Sequence, residues 1–122
     1  RHFTATPPNY TQAIDTQVNV PRMETGGLDA AFFIVYVGQG PLTPAGYDKA
    51  YKDAIAKFEA IHRLTETLAP QRIGLARTAA EVRRMATSGR KVALIGVENA
   101  YPIGTDLSRI QEFFDRGGRY MS

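Results

Sequence analysis

The chain has 122 residues, 43% of them hydrophobic, which suits one ordinary globular domain and excludes a disordered or collagen-like protein. Its net charge of +3 is a small surplus spread along the chain, so no nucleic-acid partner is predicted. No apolar run approaches the ~18–20 residues that a membrane span needs. The absence of cysteine excludes disulfides and thiolate metal sites but leaves the localisation open, because a cysteine-free chain suits an oxidising or a reducing compartment.

The first part of the chain predicts a loop, a short helix and a buried strand. Residues 1–17 contain the pair Pro7-Pro8 and no periodic apolar pattern, and are expected to form an extended loop. Asn19 is placed to cap a short helix. Residues 28–37 are almost continuously apolar and rich in β-branched and aromatic side chains, which is typical of a strand buried in a parallel sheet.

The rest of the chain predicts helices and strands in alternation. Apolar residues at spacings of three and four predict a long amphipathic helix over residues 47–68, and Thr78 with Glu81 forms a capping box that begins the next helix. The same patterns predict strands at 73–76, 92–97 and 119–121, and a last helix with its inner face formed by Leu107, Ile110, Phe113 and Phe114. Connections of helical length require parallel strands, so the predicted fold class is α/β, with all strands in one sheet and the helices on one side of it.

Glu98 is the strongest candidate for chemistry. It directly follows the apolar strand at 92–97, and functional groups of parallel α/β folds gather at the carboxyl ends of the strands. A carboxylate buried there requires a cation, a metal or backbone donors. The residues alone leave open whether Glu98 caps the next loop, pairs with an arginine or binds a metal.

The two histidines are weaker candidates. His62 lies within the long helix and has no second histidine or cysteine three or four residues away, so it is expected to be structural. His2 has no neighbouring carboxylate in the sequence that follows it.

Several segments of the chain resemble the membrane (renal) dipeptidase family. KVALIGVENA at 91–100, LSRI at 107–110 and RGGRYMS at 116–122 are similar to family segments and follow one another in the family's order. Upstream, GGLDAAFFIVY at 26–36 is similar to the second barrel strand of the family. The resemblance begins at about Val18 and covers most of the chain.

This resemblance implies a TIM-type (β/α)₈ barrel that holds two zinc ions. The glutamate of the family's Ile-Gly-Val-Glu segment bridges them, and that residue is Glu98 here. Residues 1–122 would then form a partial barrel segment, roughly its second to fourth strands. The implied function of the full-length protein is zinc-dependent hydrolysis of dipeptides. The other metal ligands, the substrate-contacting histidine and the acid/base aspartate are expected outside this chain, so no catalytic residue is expected within it.

An alternative is a catalytically silent half-barrel that serves as a binding or interaction module, since only one of the family's metal ligands is present. The chain starts at Arg1 rather than methionine, which indicates an internal piece of a longer protein. Such a piece has open strand edges. A homo-oligomeric contact or another partner is therefore expected to cover them.

Overall fold

The structure is a computed structural model that describes residues 4–122, so His2 lies outside the described residues. Helices and strands follow one another as α1 Val20–Gly26, β1 Ala30–Tyr36, α2 Pro44–Arg63, β2 Ile73–Leu75, α3 Ala79–Thr87, β3 Lys91–Glu98, α4 Ser108–Asp115 and β4 Gly118–Met121. A π-helical turn, Leu64–Leu68, extends α2, and a 3-10 turn, Tyr101–Ile103, follows β3. Within the described residues, none of the helices has both the length and the hydrophobicity needed to cross a lipid bilayer.

β3 is the central strand of a four-stranded parallel sheet. β1 pairs with it along one edge, from Ala30 opposite Val92 to Tyr36 opposite Glu98. β2 pairs with the first half of the other edge, and β4 pairs with the second half. The predicted parallel neighbours in one sheet are therefore confirmed. β2 and β4 share one edge because β2 has only three residues and leaves the rest of β3 free.

The main core lies between one face of this sheet and helices α2 and α4. Val35 of β1 and Val97 of β3 are 0% and 1% exposed, and they pack in the same cluster as Phe58 of α2. The Phe58 ring lies 5.1 Å from the ring of Phe113 in α4. At the amino end of the sheet, Met23 and its neighbours in α1 cover the start of β2 and β3 in a second cluster.

Helix α3 lies on the opposite face of the sheet, so the expectation that all helices share one side is wrong. A Cβ at Gly74 of β2 would lie 2.9 Å from Met85 Sδ of α3, whereas the adjacent Ile73 points into the cluster beneath α1. Successive side chains of a strand point to opposite faces. An amphipathic pattern identifies the apolar side of a helix but not the face of the sheet that this side meets.

Of the four residues predicted to form the inner face of α4, only Phe113 is buried. Phe113 is 1% exposed, but Leu107, Ile110 and Phe114 are 73%, 49% and 52% exposed. Successive helical residues are about 100° apart. Because Phe113 points toward α2, Phe114 points away from the core, and the Arg119 guanidinium lies 4.2 Å from the centre of the Phe114 ring. Leu107 precedes the helix.

Candidate metal site at the carboxyl ends of the strands

Glu98 is the last residue of β3 and lies on the face of the sheet opposite the main core. The preceding Val97 points into that core, and the alternation of side chains along a strand directs Glu98 the other way, where it is exposed. Across residues 4–122, the Glu98 carboxylate has no hydrogen-bond or ion-pair partner. Neither a loop cap nor an arginine pair therefore accounts for this carboxylate within the described chain.

Asn99 joins the ends of three strands directly beside Glu98. Its side-chain amide donates to the Val37 carbonyl just after β1, at 2.9 Å. Its backbone N–H donates to the Ser122 carbonyl just after β4, at 3.0 Å. Its side-chain oxygen accepts from the Tyr101 N–H at 3.1 Å. The carboxyl ends of β1, β3 and β4 are thus tied together at one residue.

An aromatic floor, formed by the rings of Phe32 and Tyr120 above Gly96, lies on the same face of the sheet as Glu98. Phe32 of β1 and Tyr120 of β4 meet edge to face, with ring centres 5.0 Å apart, although β3 lies between their strands. They can meet because Gly96, two residues before Glu98, has no side chain, and the Tyr120 ring occupies the space that a Cβ there would need. A bulge in the pairing between β3 and β4 at this level gives Tyr120 its position.

The shifted pKa values in the molecule arise from pairs in the helices and loops. The Arg72 guanidinium, which donates two hydrogen bonds to Glu24, holds the pKa of that carboxyl below its usual value. The hydrogen bond from Tyr51 to the Glu112 carboxylate raises the pKa of the tyrosine. Backbone N–H groups lower the pKa of Glu81, whose carboxylate accepts from the Thr78 N–H in the predicted capping box.

His62 is engaged by protein atoms, as expected of a structural histidine. Its Nδ1 lies 2.7 Å from the Glu66 carboxylate, and its Nε2 lies 2.6 Å from the Arg116 carbonyl. It lies near the carboxyl end of α2 and close to the start of β4, whereas Glu98 lies at the carboxyl end of β3. No group of three or more potential metal-ligating side chains occurs within residues 4–122.

A parallel α/β sheet with an unpartnered carboxylate at a strand end has the layout of part of a (β/α)₈ enzyme. The family model described as Membrane dipeptidase (Peptidase family M19) matches residues 2–122. The chain belongs to this family.

Individual relatives agree with this assignment. Dipeptidase ataJ of Aspergillus terreus is 28% identical, over 85% of this chain and 26% of its own length. The crystal structure of dipeptidase AC, a metallopeptidase, superposes with a TM-score of 0.77, and its sequence is 30% identical to this chain. The match covers 93% of this chain and 36% of that one. A metallopeptidase from Rhodobacter sphaeroides, crystallised with a phosphinate mimic of the dipeptide L-Ala-D-Ala, is 27% identical with a TM-score of 0.76, over 92% of this chain and 38% of that one.

The chain therefore spans about a quarter of the length of the curated relatives that it matches. The predicted fold class, parallel strands alternating with helices as part of a TIM-type barrel, is confirmed.

The sequence pattern identified Glu98 but missed the residues around it. An asparagine directly after a buried strand was a usable signal for Asn99, since asparagine is enriched at backbone positions with positive φ. Nothing in the local sequence signalled that Phe32 and Tyr120 meet across Gly96, because the three residues lie on three different strands.

Proposed function

We propose that the protein containing this chain is a zinc-dependent dipeptidase and that Glu98 bridges two zinc ions in its active site. The observation that carries this proposal is the exposed carboxylate at the carboxyl end of β3, which has no partner among the described residues. Such a group fits a ligand position, because zinc accepts carboxylate oxygen and the two metals of such sites are commonly ~3.5–4 Å apart, within reach of one carboxylate.

The described residues fit one ligand position and not a whole site. Residues 4–122 bring no three potential ligands together, so the remaining ligands have to come from other parts of the protein. Within the barrel layout, the carboxyl ends of further strands would face Glu98 across the barrel. This placement supports a shared site to which Glu98 contributes the bridging group.

Each neighbouring residue would have its own part in this site. When bound, a zinc pair supplies positive charge that polarises a peptide carbonyl and lowers the pKa of water. Glu98 would balance part of that charge, and Asn99 would hold the strand ends. Phe32 and Tyr120 would present an apolar surface below the carboxylate and exclude water from that side. A dipeptide substrate is supported by the Rhodobacter sphaeroides relative, which was crystallised with a dipeptide mimic.

The test uses the protein at its natural length, assayed for zinc content and for hydrolysis of L-Ala-D-Ala with and without a chelator. Glu98→Gln keeps the side-chain volume and removes the charge, and we expect it to bind fewer than two zinc ions and to lose at least about 100-fold in kcat/KM, equivalent to about 2.7 kcal/mol. Glu59→Gln, at an exposed glutamate of α2, is the matched control and should retain both zinc and activity.

Two results would contradict the proposal. Full zinc content and normal hydrolysis in the Glu98→Gln protein would remove the bridging role from this residue. A natural-length protein that neither binds zinc nor hydrolyses dipeptides would instead support the silent half-barrel module.

A further inference from the structure

We propose that Asn99 is a positioning residue for the metal site, which rests on the bridging role proposed above for Glu98. Its hydrogen bonds to the Val37 and Ser122 carbonyls join the ends of β1, β3 and β4, and its bond from the Tyr101 N–H holds the turn after β3; together they fix the backbone from which the Glu98 carboxylate projects.

The backbone conformation of Asn99 is the first observation behind this proposal. Within residues 4–122, Asn99 is the one non-glycine residue with positive φ, at 74°. This left-handed conformation costs most residues about 1–2 kcal/mol, and asparagine adopts it more readily than most. Strained backbone of this kind is concentrated at functional sites. Here it turns the chain sharply after Glu98, so that the Asn99 side chain folds back onto the end of β1.

The span of the hydrogen bonds is the second observation. Val37 precedes Asn99 by 62 residues, and Ser122 follows it by 23, yet both of their carbonyls accept hydrogen bonds from this one residue. The bond from the Asn99 backbone to Ser122 prolongs the pairing of β3 with β4, whereas the bond to Val37 requires the side chain. Removal of the side chain therefore releases Val37, the residue just after β1, from β3, and leaves the β4 contact and the backbone pairing up to Tyr36 and Glu98 in place.

A carboxylate that bridges two metal ions has to be placed within about 0.5 Å of its productive position. The positioning role requires that release of Val37 lets Glu98 shift by more than this, in which case the more weakly held zinc ion is affected first. Loss of a residue that orients a metal ligand typically lowers metal affinity about 10–100-fold. We expect an effect of this size from Asn99.

The test compares Asn99→Gly with Asn19→Gly in the natural-length protein. Glycine retains the positive φ at position 99 and removes only the side chain. Asn19 is a matched control, since its side chain caps α1 by accepting from the Arg22 N–H at 3.0 Å and donates to the Ile14 carbonyl at 3.2 Å, at the other end of the sheet. We expect Asn99→Gly to lower the affinity for the weaker zinc ion about 10–100-fold in titrations against a competing chelator, and Asn19→Gly to leave it unchanged.

A second readout does not depend on metal. The Tyr101 N–H loses its acceptor in Asn99→Gly, so its amide hydrogen exchange should accelerate in the zinc-free protein, while exchange in the middle of β3 stays at the wild-type rate. A side chain that serves only overall stability would instead accelerate exchange throughout the sheet, which would overturn the positioning role.

Measuring Glu98→Gln beside these variants separates the two proposals. Loss of zinc in Glu98→Gln with wild-type zinc affinity in Asn99→Gly would overturn the positioning role alone. Retention of both zinc ions in Glu98→Gln would overturn the bridging role, and the positioning role with it.

Discussion

Replacing Gly96 by alanine tests the aromatic floor beneath Glu98. The new Cβ would overlap the Tyr120 ring and lie 2.6 Å from its hydroxyl oxygen, so the ring has to leave its contact with Phe32. Overpacking costs about 1–3 kcal/mol, and the loss of an aromatic pair adds about 0.5–1.5 kcal/mol. Alanine gains about 0.5–1 kcal/mol over glycine in a strand. Since Tyr120 is 44% exposed and its ring can swing outward, we expect a net destabilisation of about 1–2 kcal/mol.

Repeating the Gly96→Ala substitution in a Tyr120→Ala protein shows whether the destabilisation comes from the Tyr120 ring. With Tyr120→Ala already present, the three closest contacts of a Cβ at position 96 are removed, and Gly96→Ala should stabilise the protein by about 0.5 kcal/mol. The assay is the free energy of unfolding of the four natural-length proteins, from guanidinium denaturation followed by circular dichroism. Equal costs of Gly96→Ala in the two backgrounds would refute the overlap with Tyr120.

Two further predictions concern the helix layer. Phe58→Ala removes a fully buried ring from between the sheet and Phe113, and should lower the free energy of unfolding by about 3–5 kcal/mol in the same assay; a loss below about 1 kcal/mol would contradict the described core. The pKa of Glu24 is lowered mainly by its hydrogen bonds from Arg72, so this pair stabilises the fold above the pKa of an ordinary glutamate and loses its effect as pH falls through the lowered pKa. The melting temperature of Glu24→Gln should thus lie below that of the wild type at neutral pH and approach it in acid, and a constant difference would show that the carboxylate is not involved.

Elements with a complete local pattern could be predicted from the sequence. The strand before Glu98 is an unbroken apolar segment, and α2 repeats its apolar residues over several turns. The capping box also depends only on residues three apart, and the Glu81 N–H indeed donates to the Thr78 hydroxyl. The position of Glu98 at a strand end follows from the same local information.

Features that depend on distant parts of the chain could not be predicted. The face of the sheet that α3 covers is defined by its contact with the position of Gly74 in β2, which exists only in the folded sheet. The exposure of Ile110 and Phe114 depends on which side of α4 meets α2. Asn99 acquires its role from carbonyls of Val37 and Ser122, which only the folded sheet brings beside it.

The central claim is that Glu98 is a shared ligand of two metal ions. The most direct measurement is a crystal structure of the zinc-loaded, natural-length protein, with the metals located by anomalous scattering at the zinc absorption edge. We expect two peaks ~3.5–4 Å apart, each about 2.0–2.2 Å from one Glu98 carboxylate oxygen. Two zinc ions bound without a Glu98 oxygen in either coordination sphere would contradict the claim.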